Sequence, residues 1–364
     1  MSAIAQILIS KGTKVTGSDC SDSHIISNLK AAGVHITIGH YAKNIDSADL
    51  VVYTAAIAKD NPELLYARKL GIPTVERADC LGELMKSYEI PIAISGTHGK
   101  TTTTAMLSCV LIHADLNPTI LVGGEYPLIG GNLRLGGSKY FIFEACEYVD
   151  SFLKFNPFGA IVLNIETDHL DYFKNIDSII TSFEKFINKV PADGFIVLNS
   201  EDENVIKSAR GRNKNKIFFG AKGEYSATDI NILSDGTTEF TVYRERIHLN
   251  VKGLHNVSNA LAVFATAHKI GISPTIIKEG IESFTGIKRR FEYIGKVNGA
   301  FIYDDYAHHP TEMITTLKTA EKMPHNKIWC VFQPHTYTRT KALLEEFASA
   351  LSMCDNVILI KIYA

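Results

Sequence analysis

The sequence PIAISGTHGKTTTTAML, from Pro91 to Leu107, is the most informative segment of the central part of this chain. Its first residues, Pro91 to Ile94, form the kind of short apolar run that is typical of a buried strand. After the threonines, apolar side chains recur at helical spacing from Ala105 to Leu111. The stretch therefore predicts a strand, a tight loop containing two glycines, and the N-terminus of a helix.

The loop within this stretch has the parts of a phosphate cradle. Gly96 and Gly99 allow the main chain to approach a ligand closely, and the amides at a helix N-terminus favour negative charge. Lys100 adds a cation, and the Thr101 hydroxyl is a ligand for Mg²⁺. The spacing departs from the common G-x-x-x-x-G-K-[ST] pattern, because Ile94 stands six residues before Lys100. The alternative is a threonine-rich capped turn, but the order of strand, loop and helix favours nucleotide phosphate binding.

Length and composition exclude several classes of protein. The chain has 364 residues, of which 46% are hydrophobic, so it is long enough for two or three domains with substantial cores. A formal charge of −2 gives no reason to expect nucleic acid or an anionic membrane as a partner. Six widely spaced cysteines without a C-x-x-C pair match neither a disulfide framework nor a zinc site. No apolar run approaches the roughly 18 residues of a membrane span, so we expect a cytoplasmic protein.

The order of apolar and polar segments indicates three α/β domains. Strand and helix patterns alternate from Lys14 to about Tyr88, which is typical of a parallel sheet. The pattern restarts at Pro91, includes a β-rich patch at 228–251, and closes with helices at about 256–270 and 274–284. The polar stretch TGIKRRFEYIG predicts a linker, and a helix near 341–353 precedes the final strand. We therefore predict domains at 1–89, 90–288 and 289–364.

The two ends of the sequence each look like part of a larger unit. Ile4, Ile7 and Leu8 share one helical face and a strand pattern follows Gly12, so the chain begins on the helix of a βαβ unit. The last segment, NVILIKIYA, has the pattern of a buried strand and no helix follows it. We therefore expect the first and last domains to be incomplete.

Polar residues follow two strands in the central part of the chain. Glu144 ends the apolar run KYFIFE, and Asp168 and His169 follow the run GAIVLNI. Open parallel sheets bind ligands at the carboxyl ends of their strands. A carboxylate and an imidazole beside a triphosphate suit divalent metal ions that bridge phosphate oxygens. An Asp-His pair alone is more typical of a surface loop, and only its shared location with the phosphate loop favours the metal-binding hypothesis.

Three further polar clusters lie in the second half of the chain. Asn256 and Asn259 are one helical turn apart, and N-capping by Asn256 and recognition of an adenine edge are equally compatible with the local sequence. The segments YDDYAHHPTE and FQPHTYTRTKALL each place polar side chains between a buried strand and a helix. In the second of these, the guanidinium of Arg339 is suited to a carboxylate or a phosphate. The polar residues of the two segments that we single out are Asp304, Asp305, Tyr306, His308, His309, His335 and Arg339.

Seven motifs along nearly the whole chain closely resemble the Mur ligase family. In order they are SGTHGKTTTT, EACEYVDSFL, NIETDHLDYF, HNVSNALA, KRRFE, DDYAHHPTE and FQPHTYTRT. The last two together are similar to the branch that adds L-alanine to UDP-N-acetylmuramate, although many relatives carry Asp at the place of Cys146. The murein-peptide recycling ligases are the nearest confusable branch. A nucleotide-binding fragment without catalysis is the remaining alternative.

The resemblance implies a fold and an activity. The fold has a Rossmann-like N-terminal domain that binds the UDP-sugar, a central P-loop ATPase domain, and here a partial Rossmann-like C-terminal domain. The activity is that of a cytoplasmic enzyme of peptidoglycan biosynthesis, which uses ATP and Mg²⁺ to phosphorylate the lactyl carboxylate of UDP-N-acetylmuramate. The amine of L-alanine then attacks the acyl phosphate. Family members normally begin with a strand and a glycine-rich loop for the UDP diphosphate, which here would precede Met1.

The resemblance also implies roles for individual residues. Lys100 would hold the β- and γ-phosphates, Thr101 with Glu144 a first Mg²⁺, and His169 with Glu144 a second. The implied ATP-binding residues are Gly96, Thr97, His98, Gly99, Lys100, Thr101, Thr102, Asn256, Asn259, Arg290 and Asp305. The implied residues around the substrate are His98, Tyr306, His308, His335 and Arg339, of which the last three would act in catalysis with Lys100.

Overall fold

The computed structural model describes residues 1–169, 172–210 and 215–363. Leu170 and Asp171, which belong to the quoted motif NIETDHLDYF, lie outside the described residues, as does Ala364 at the end of the final strand segment. The chain divides into two compact units. One consists of residues 1–87 with 154–156, and the other contains the rest of the described chain.

The first unit alternates helices with short parallel strands, as the sequence predicts. Its elements are α1 (Ser2–Ser10), β1 (Thr16–Asp19), α2 (His24–Ala31), β2 (His35–Ile38), β3 (Val51–Tyr53), α3 (Pro62–Leu70), β4 (Thr74–Glu76) and α4 (Arg77–Met85). Strand β1 pairs in parallel with β2, and β3 pairs in parallel with β4. In this unit the strands form two separate pairs rather than one sheet. Alternation predicts where strands occur but not which of them share hydrogen bonds.

Helix α3 shows how the local sequence sets an element's boundaries. The Asn61 side chain caps the helix by accepting hydrogen bonds from the backbone N–H groups of Glu63 and Leu64. Pro62 occupies the first helical position, where its missing N–H costs nothing. Gly71 ends the helix in the left-handed conformation, with φ 70°. Helix α3 therefore runs from Pro62 to Leu70, within the region where the sequence predicts alternating strands and helices.

The second unit is built on a seven-stranded sheet with the strand order β11-β10-β9-β5-β8-β6-β7. The strands and the helices between them are β5 (Ile90–Ser95), α5 (Lys100–His113), β6 (Thr119–Tyr126), β7 (Gly131–Arg134), β8 (Tyr140–Glu144), β9 (Gly159–Val162), α6 (Ile176–Ile187), β10 (Phe195–Asn199), α7 (Glu203–Ser208) and β11 (Asn215–Phe219). All neighbouring strands run parallel except β7, which pairs antiparallel with β6 at the edge. Strand β5, which precedes the phosphate loop, therefore lies at the centre of the sheet.

The remaining elements of the second unit form smaller sheets and helices. They are β12 (Thr228–Ile232), β13 (Thr238–Val242), β14 (Glu245–Leu249), α8 (His255–Lys269), α9 (Pro274–Glu282), β15 (Glu292–Val297), β16 (Ala300–Asp304), α10 (Pro310–Glu321), β17 (Trp329–Phe332), α11 (Tyr337–Ala342), α12 (Leu344–Leu351) and β18 (Asn356–Leu359). Strands β12 to β14 form an antiparallel sheet, which confirms the predicted β-rich patch. Strands β15 and β16 pair antiparallel, and β17 and β18 pair in parallel.

Two sequence predictions in this region need correction. The second half of the predicted linker, EYIG, belongs to strand β15, because β16 supplies a partner for its backbone groups. The predicted helix near 341–353 begins earlier and is two helices, α11 and α12, separated at Leu343 with φ −120° and ψ 31°. The helical spacing of apolar residues continues through Leu343, so the sequence pattern does not reveal the break between the two helices.

The main core of the second unit brings the large sheet together with helices α5, α8 and α9. Helices α5 and α8 carry buried residues along most of their length, which is typical of helices enclosed on several sides. The phosphate loop is therefore held between two buried elements, β5 and α5. No helix in the described part of the chain is long and apolar enough to cross a bilayer.

Candidate active site

Three neighbouring strands deliver the central polar residues to one edge of the large sheet. Strand β5 lies between β8 and β9 and runs parallel to both. The phosphate loop follows β5, Glu144 ends β8, and the segment that contains Asp168 and His169 follows β9. Carboxyl ends of adjacent parallel strands meet at the same edge, where ligands of open α/β sheets bind. The sheet order thus brings together the segments that the sequence analysis singled out.

Two glycines allow the phosphate loop to take its path. Gly96 and Gly99 have φ values of 139° and 83°, which other residues rarely adopt. A Cβ atom on Gly96 would lie 3.0 Å from Cβ of Leu163, and one on Gly99 would lie 2.8 Å from Oδ1 of Asn259. A larger residue at Gly96 would therefore have to move the segment after β9, and one at Gly99 would have to displace the Asn259 side chain.

Asn164, which the sequence analysis did not single out, fixes the loop to the neighbouring strand. The backbone N–H of His98 donates to Oδ1 of Asn164 at 2.7 Å, and Nδ2 of Asn164 donates to the carbonyl of His98 at 3.1 Å. The backbone N–H of Thr97 donates to the Asn164 carbonyl at 3.1 Å. Asn164 is a polar residue within the otherwise apolar run GAIVLNI, near the ligand-binding edge of the predicted sheet, and this is the signal in the sequence that could have found it.

The Lys100 ammonium is enclosed by acceptors. It donates to the carbonyls of Gly96 and Thr97, the second at 3.0 Å, and to Oε2 of Glu147 at 3.3 Å. Burial lowers the pKa of Lys100, but the Glu147 and Glu144 carboxylates more than offset this, and the pKa is raised above its usual value. Glu147 stands in a motif quoted above but was given no role. The structure identifies it as the counterion of the phosphate-loop lysine.

Thr101 and Glu144 form a pair of oxygen ligands beside the loop. The Thr101 hydroxyl donates to Oε2 of Glu144 at 3.0 Å, and the backbone N–H of Gly123 donates to Oε1. Nη2 of Arg290 donates to the same Thr101 hydroxyl at 3.4 Å. Burial raises the pKa of Glu144, although these donors act in the opposite direction. A hydroxyl and a carboxylate are the hard oxygen donors that suit Mg²⁺, so the donor set fits this ion.

His169 lies beside Asp168 rather than against Glu144. Nε2 of His169 is 3.7 Å from Oδ2 of Asp168, and its ring lies 4.5 Å from the Tyr148 ring. Burial lowers the pKa of His169, so its imidazole is neutral at pH 7. Within the part of the chain that the structure describes, no hydrogen bond or ion pair joins His169 to Glu144. The structure therefore does not place these two predicted ligands in direct contact.

A cavity of about 260 Å³ opens next to the phosphate loop. Of the residues predicted to bind ATP, seven line its wall, namely His98, Gly99, Thr102, Asn256, Asn259, Arg290 and Asp305. The other four, Gly96, Thr97, Lys100 and Thr101, lie in the adjoining loop and at the start of α5. The sequence prediction therefore selected residues that are adjacent in the folded chain although they come from distant segments.

The two asparagines of this wall are buried and bonded to each other. Nδ2 of Asn259 donates to Oδ1 of Asn256 at 3.0 Å, and Nδ2 of Asn256 donates to the Lys252 carbonyl at 2.8 Å. Helix α8 begins at His255, and Leu254 is its N-cap. The alternative that Asn256 caps the helix is therefore wrong. Both amides lie on the cavity wall, where they are available to a ligand.

Asp305 connects the C-terminal segments to the same cavity. Its carboxylate accepts hydrogen bonds from the backbone N–H groups of Phe291 and Ala307, each at 2.8 Å. Burial raises the pKa of Asp305, against the effect of these donors and of the nearby Arg290 cation. The carboxylate thus fixes the loop after β16 and faces the cavity beside Arg290.

The residues predicted to surround the substrate form a second cluster. The ring of His308 lies 5.3 Å from that of Tyr306 and 6.3 Å from that of His335. Nη2 of Arg339 donates to Oδ1 of Asp168 at 3.1 Å. This partly buried pair links the start of helix α11 to the segment after β9. The C-terminal polar residues are thereby brought to the edge of the large sheet that carries the phosphate loop.

His98 joins the loop to two carboxylates that the sequence analysis did not name. Nδ1 of His98 is 3.2 Å from Oε1 of Glu312, and Nε2 is 3.4 Å from Oε2 of Glu166. Burial lowers the pKa of His98, but the nearby Glu166 and Glu312 carboxylates outweigh this effect and raise the pKa to about 9. Glu312 ends the motif DDYAHHPTE, and Glu166 lies within NIETDHLDYF. Both residues therefore belong to motifs recognised in the sequence, but their contacts with His98 are visible only in the structure.

Three models of one protein family together match most of the chain. The model of the Mur ligase family catalytic domain matches residues 1–89, that of the Mur ligase middle domain residues 94–267, and that of the Mur ligase glutamate ligase domain residues 289–362. These ranges contain nearly all of the residues described above.

Individual proteins are similar over the same span. The UDP-N-acetylmuramate–L-alanine ligase of Acetivibrio thermocellus is 51% identical, with 100% of this chain and 79% of that protein covered. The enzyme of the same name from Alkaliphilus metalliredigens is 49% identical, with 100% and 81% covered. The solved structure of UDP-N-acetylmuramate-alanine ligase MurC from Thermotoga maritima has a TM-score of 0.85 and 32% identity, over 100% of this chain and 83% of that one. A murein peptide ligase from Psychrobacter arcticus has a TM-score of 0.77 and 27% identity, over 99% and 88%. This chain belongs to the Mur ligase family.

Proposed function

We propose that this protein joins L-alanine to the lactyl carboxylate of UDP-N-acetylmuramate, at the expense of ATP, in peptidoglycan biosynthesis. The two curated relatives that are 51% and 49% identical over the whole chain carry the name of this ligase. The observation that carries the proposal is the contact of Arg339 with Asp168 at 3.1 Å. Through it, the polar cluster of the C-terminal segments lies next to the phosphate loop, as the transfer of a phosphoryl group to a bound carboxylate requires.

The triphosphate of ATP binds at the loop between β5 and α5. The loop amides and the Lys100 ammonium provide positive charge for the phosphate oxygens. The nucleoside occupies the adjoining cavity, where the amides of Asn256 and Asn259 and the Asp305 carboxylate supply donors and acceptors. Thr101 and Glu144 would hold Mg²⁺, which when bound neutralises charge on the transferring phosphate. His169 with Glu144 would hold a second Mg²⁺, with the Asp168 carboxylate beside the His169 ring.

The reaction proceeds in two steps. A lactyl carboxylate oxygen attacks the γ-phosphorus of ATP, so that ADP leaves and an acyl phosphate forms. The unprotonated amine of alanine then attacks the acyl carbon, and phosphate leaves with the oxygen that came from the carboxylate. Lys100 stabilises the charge that develops on the transferring phosphoryl group. The guanidinium of Arg339 and the imidazoles of His308 and His335 surround the acyl and alanine end of the substrate.

The pKa of His335 supports a role near the amine. Burial and the nearby Arg339 cation both lower its pKa, so the ring is neutral at pH 7. A neutral imidazole accepts a hydrogen bond from the ammonium of incoming alanine, which an imidazolium cannot do.

The proposal includes a division into three domains, 1–89, 90–288 and 289–364. The first would bind the UDP-sugar, the second would bind the nucleotide, and the third would supply the C-terminal residues of the site.

A ligase that uses a ready-made peptide is the second candidate. A solved murein peptide ligase from Psychrobacter arcticus is similar over 99% of this chain, with a TM-score of 0.77. Its 27% identity is well below the 51% of the alanine ligase from Acetivibrio thermocellus, which favours alanine. Nucleotide binding without catalysis is the third candidate.

Phosphate release from ATP distinguishes these functions. The purified chain is incubated with ATP and Mg²⁺, and UDP-N-acetylmuramate and L-alanine are added separately and together. Our proposal expects release only when both are present. Release with L-alanyl-γ-D-glutamyl-meso-diaminopimelate but not with alanine would identify the peptide ligase instead. ATP binding without release under any of these conditions would identify the non-catalytic module.

A further inference from the structure

A cluster of His98, Glu166 and His309 has the composition of a transition-metal site. The three residues each offer one ligand atom, and these atoms all lie within 4.8 Å of one another. They come from three separate segments, which are the phosphate loop, the segment after β9, and the N-cap of helix α10. None of the roles proposed above uses Glu166 or His309.

Two ring nitrogens in the cluster have no hydrogen-bond partner. They are Nε2 of His98 and Nε2 of His309, and both atoms are buried. His309 is only 6% exposed, so its unpaired nitrogen is shielded from water and carries an energetic cost. Nε2 of His98 is 3.4 Å from Oε2 of Glu166. That separation is about the distance between neighbouring ligands in a tetrahedral site with bonds of about 2.1 Å.

The surrounding groups orient these ligands in the way that metal sites require. Nδ1 of His98 is hydrogen-bonded to the Glu312 carboxylate at 3.2 Å, which leaves its Nε2 facing the cluster. This is the carboxylate–histidine arrangement that fixes the ring in metal sites. The Thr311 hydroxyl donates to Oε2 of Glu166 at 2.9 Å and so holds that carboxylate in place.

We propose that His98, Glu166 and His309 bind a divalent transition-metal ion such as Zn²⁺, at a site distinct from the Mg²⁺ ligands Thr101 and Glu144. Two imidazoles and one carboxylate suit Zn²⁺ and Co²⁺, whereas Mg²⁺ favours oxygen donors alone. Three protein ligands leave a further position for water or for a ligand oxygen. The ion would tie the phosphate loop to the start of helix α10.

Metal binding changes one hydrogen bond at the start of α10. Coordination through Nε2 places the proton of His309 on Nδ1, which then no longer accepts the 3.4 Å contact from the backbone N–H of Thr311. The Glu312 carboxylate accepts from the backbone N–H groups of His308 and His309 at 2.9 and 3.3 Å. The helix therefore keeps its other cap.

Binding of Co²⁺ tests the site without reference to enzyme activity. The full chain, freed of metal by a chelator, is titrated with Co²⁺ in the presence of excess Mg²⁺, and the visible absorption of the bound ion is recorded. We expect one tightly bound Co²⁺ with the intense absorption of a four-coordinate site, which Zn²⁺ displaces. A wild-type chain without this absorption overturns the proposal.

Substitutions assign the ligands. Glu166→Gln and His309→Gln should each weaken Co²⁺ binding at least tenfold. His113→Gln is the matched control, because His113 makes a surface contact with Glu279 and should leave Co²⁺ binding unchanged. Circular dichroism confirms that each variant is folded. If both cluster variants bind Co²⁺ as tightly as the wild type, the ion lies elsewhere and the proposal is wrong. If one variant does not fold, the wild-type titration and the other variant decide the matter.

Discussion

Nζ of Lys100 lies 3.3 Å from Oε2 of Glu147, and the Glu147 side chain is almost completely buried. A buried ion pair is strongly destabilising when one partner is removed, because the other charge is then left without compensation. ATP brings several negative charges to the same lysine. The pair is therefore both a structural element of the phosphate loop and a competitor of the triphosphate.

Loss of the Glu147 charge should make the stability of the folded chain depend more strongly on bound nucleotide. We expect Glu147→Gln to lower the free energy of unfolding by about 3 kcal/mol, because the buried Lys100 ammonium loses its counterion. ATP with Mg²⁺ should then raise the melting temperature of this variant more than that of the wild type, since the phosphates replace the missing charge. Thermal unfolding with and without nucleotide measures both effects.

Glu83→Gln is the control for this experiment. Glu83 pairs with Lys86 on the surface of helix α4, and both side chains are largely exposed. Its substitution should change neither the stability nor the response to ATP appreciably. A Glu147→Gln variant that behaves like Glu83→Gln would show that the buried ion pair does not restrain Lys100.

Replacement of Lys100 should abolish turnover. In Lys100→Ala the cation that follows the transferring phosphoryl group is absent, at a cost of several kcal/mol in transition-state stabilisation, so we expect a loss of about 1000-fold or more in kcat. Phosphate release under saturating substrates measures it, with Lys86→Ala as a control that retains full activity. Near-normal turnover of Lys100→Ala would contradict the assignment of the phosphate loop.

The contacts of Glu144 and His169 predict different responses to Mg²⁺. Glu144 accepts a hydrogen bond from Thr101 at 3.0 Å, whereas His169 is next to Asp168. Glu144→Ala should therefore raise the Mg²⁺ concentration for half-maximal turnover at least tenfold, and His169→Ala should lower the rate with a smaller change in that concentration. A Mg²⁺ titration of the initial rate compares the two variants. An unchanged Mg²⁺ requirement in Glu144→Ala would show that Glu144 is not a Mg²⁺ ligand.

His98 should make stability fall at alkaline pH. Its pKa is raised from the ordinary 6.5 to about 9, so between these values the folded chain binds a proton that the unfolded chain does not. The stabilisation is complete below about pH 6.5 and is lost as the pH rises through about 9, with a slope of up to about 1.4 kcal/mol per pH unit. The groups that face His98 are the carboxylates of Glu166 and Glu312 and the neutral imidazole of His309.

The measurement is the difference between the wild type and His98→Gln in how the free energy of unfolding changes with pH. Urea unfolding of the wild type and of His98→Gln is followed from pH 6 to pH 10 with a chelator present, so that other titrating groups cancel. We expect the wild type to lose its stability advantage over this interval. Two parallel profiles would show that His98 is not protonated in the folded chain.

The phosphate loop was predictable because its signals are local. A short apolar run, two glycines and a helical apolar spacing all lie between Pro91 and Leu111, and the structure places β5, the loop and α5 there. The same holds for helix α3, whose cap residues Asn61 and Gly71 set its ends. Periodicity and capping act between neighbours in sequence, so one sequence is sufficient to read them.

Contacts between distant segments were not predictable in the same way. His98 and Glu312 are separated by 214 positions, and only the fold shows that they share a hydrogen bond. The partnership of Lys100 with Glu147 depends on β8 lying next to β5, and strand order is not contained in apolar spacing. The predicted linker became part of β15 for the same reason, because the partner strand β16 decides its conformation.

Transfer of oxygen from the substrate carboxylate to phosphate would demonstrate the proposed acyl phosphate. UDP-N-acetylmuramate labelled with ¹⁸O in both lactyl carboxylate oxygens is incubated with the chain, ATP, Mg²⁺ and L-alanine, and the released phosphate and the amide product are analysed by mass spectrometry. If the chain forms the amide through an acyl phosphate, each amide retains one ¹⁸O and each released phosphate carries the other. Phosphate released without ¹⁸O, or without an equal amount of alanine amide, would contradict our account of this protein as an alanine-adding ligase.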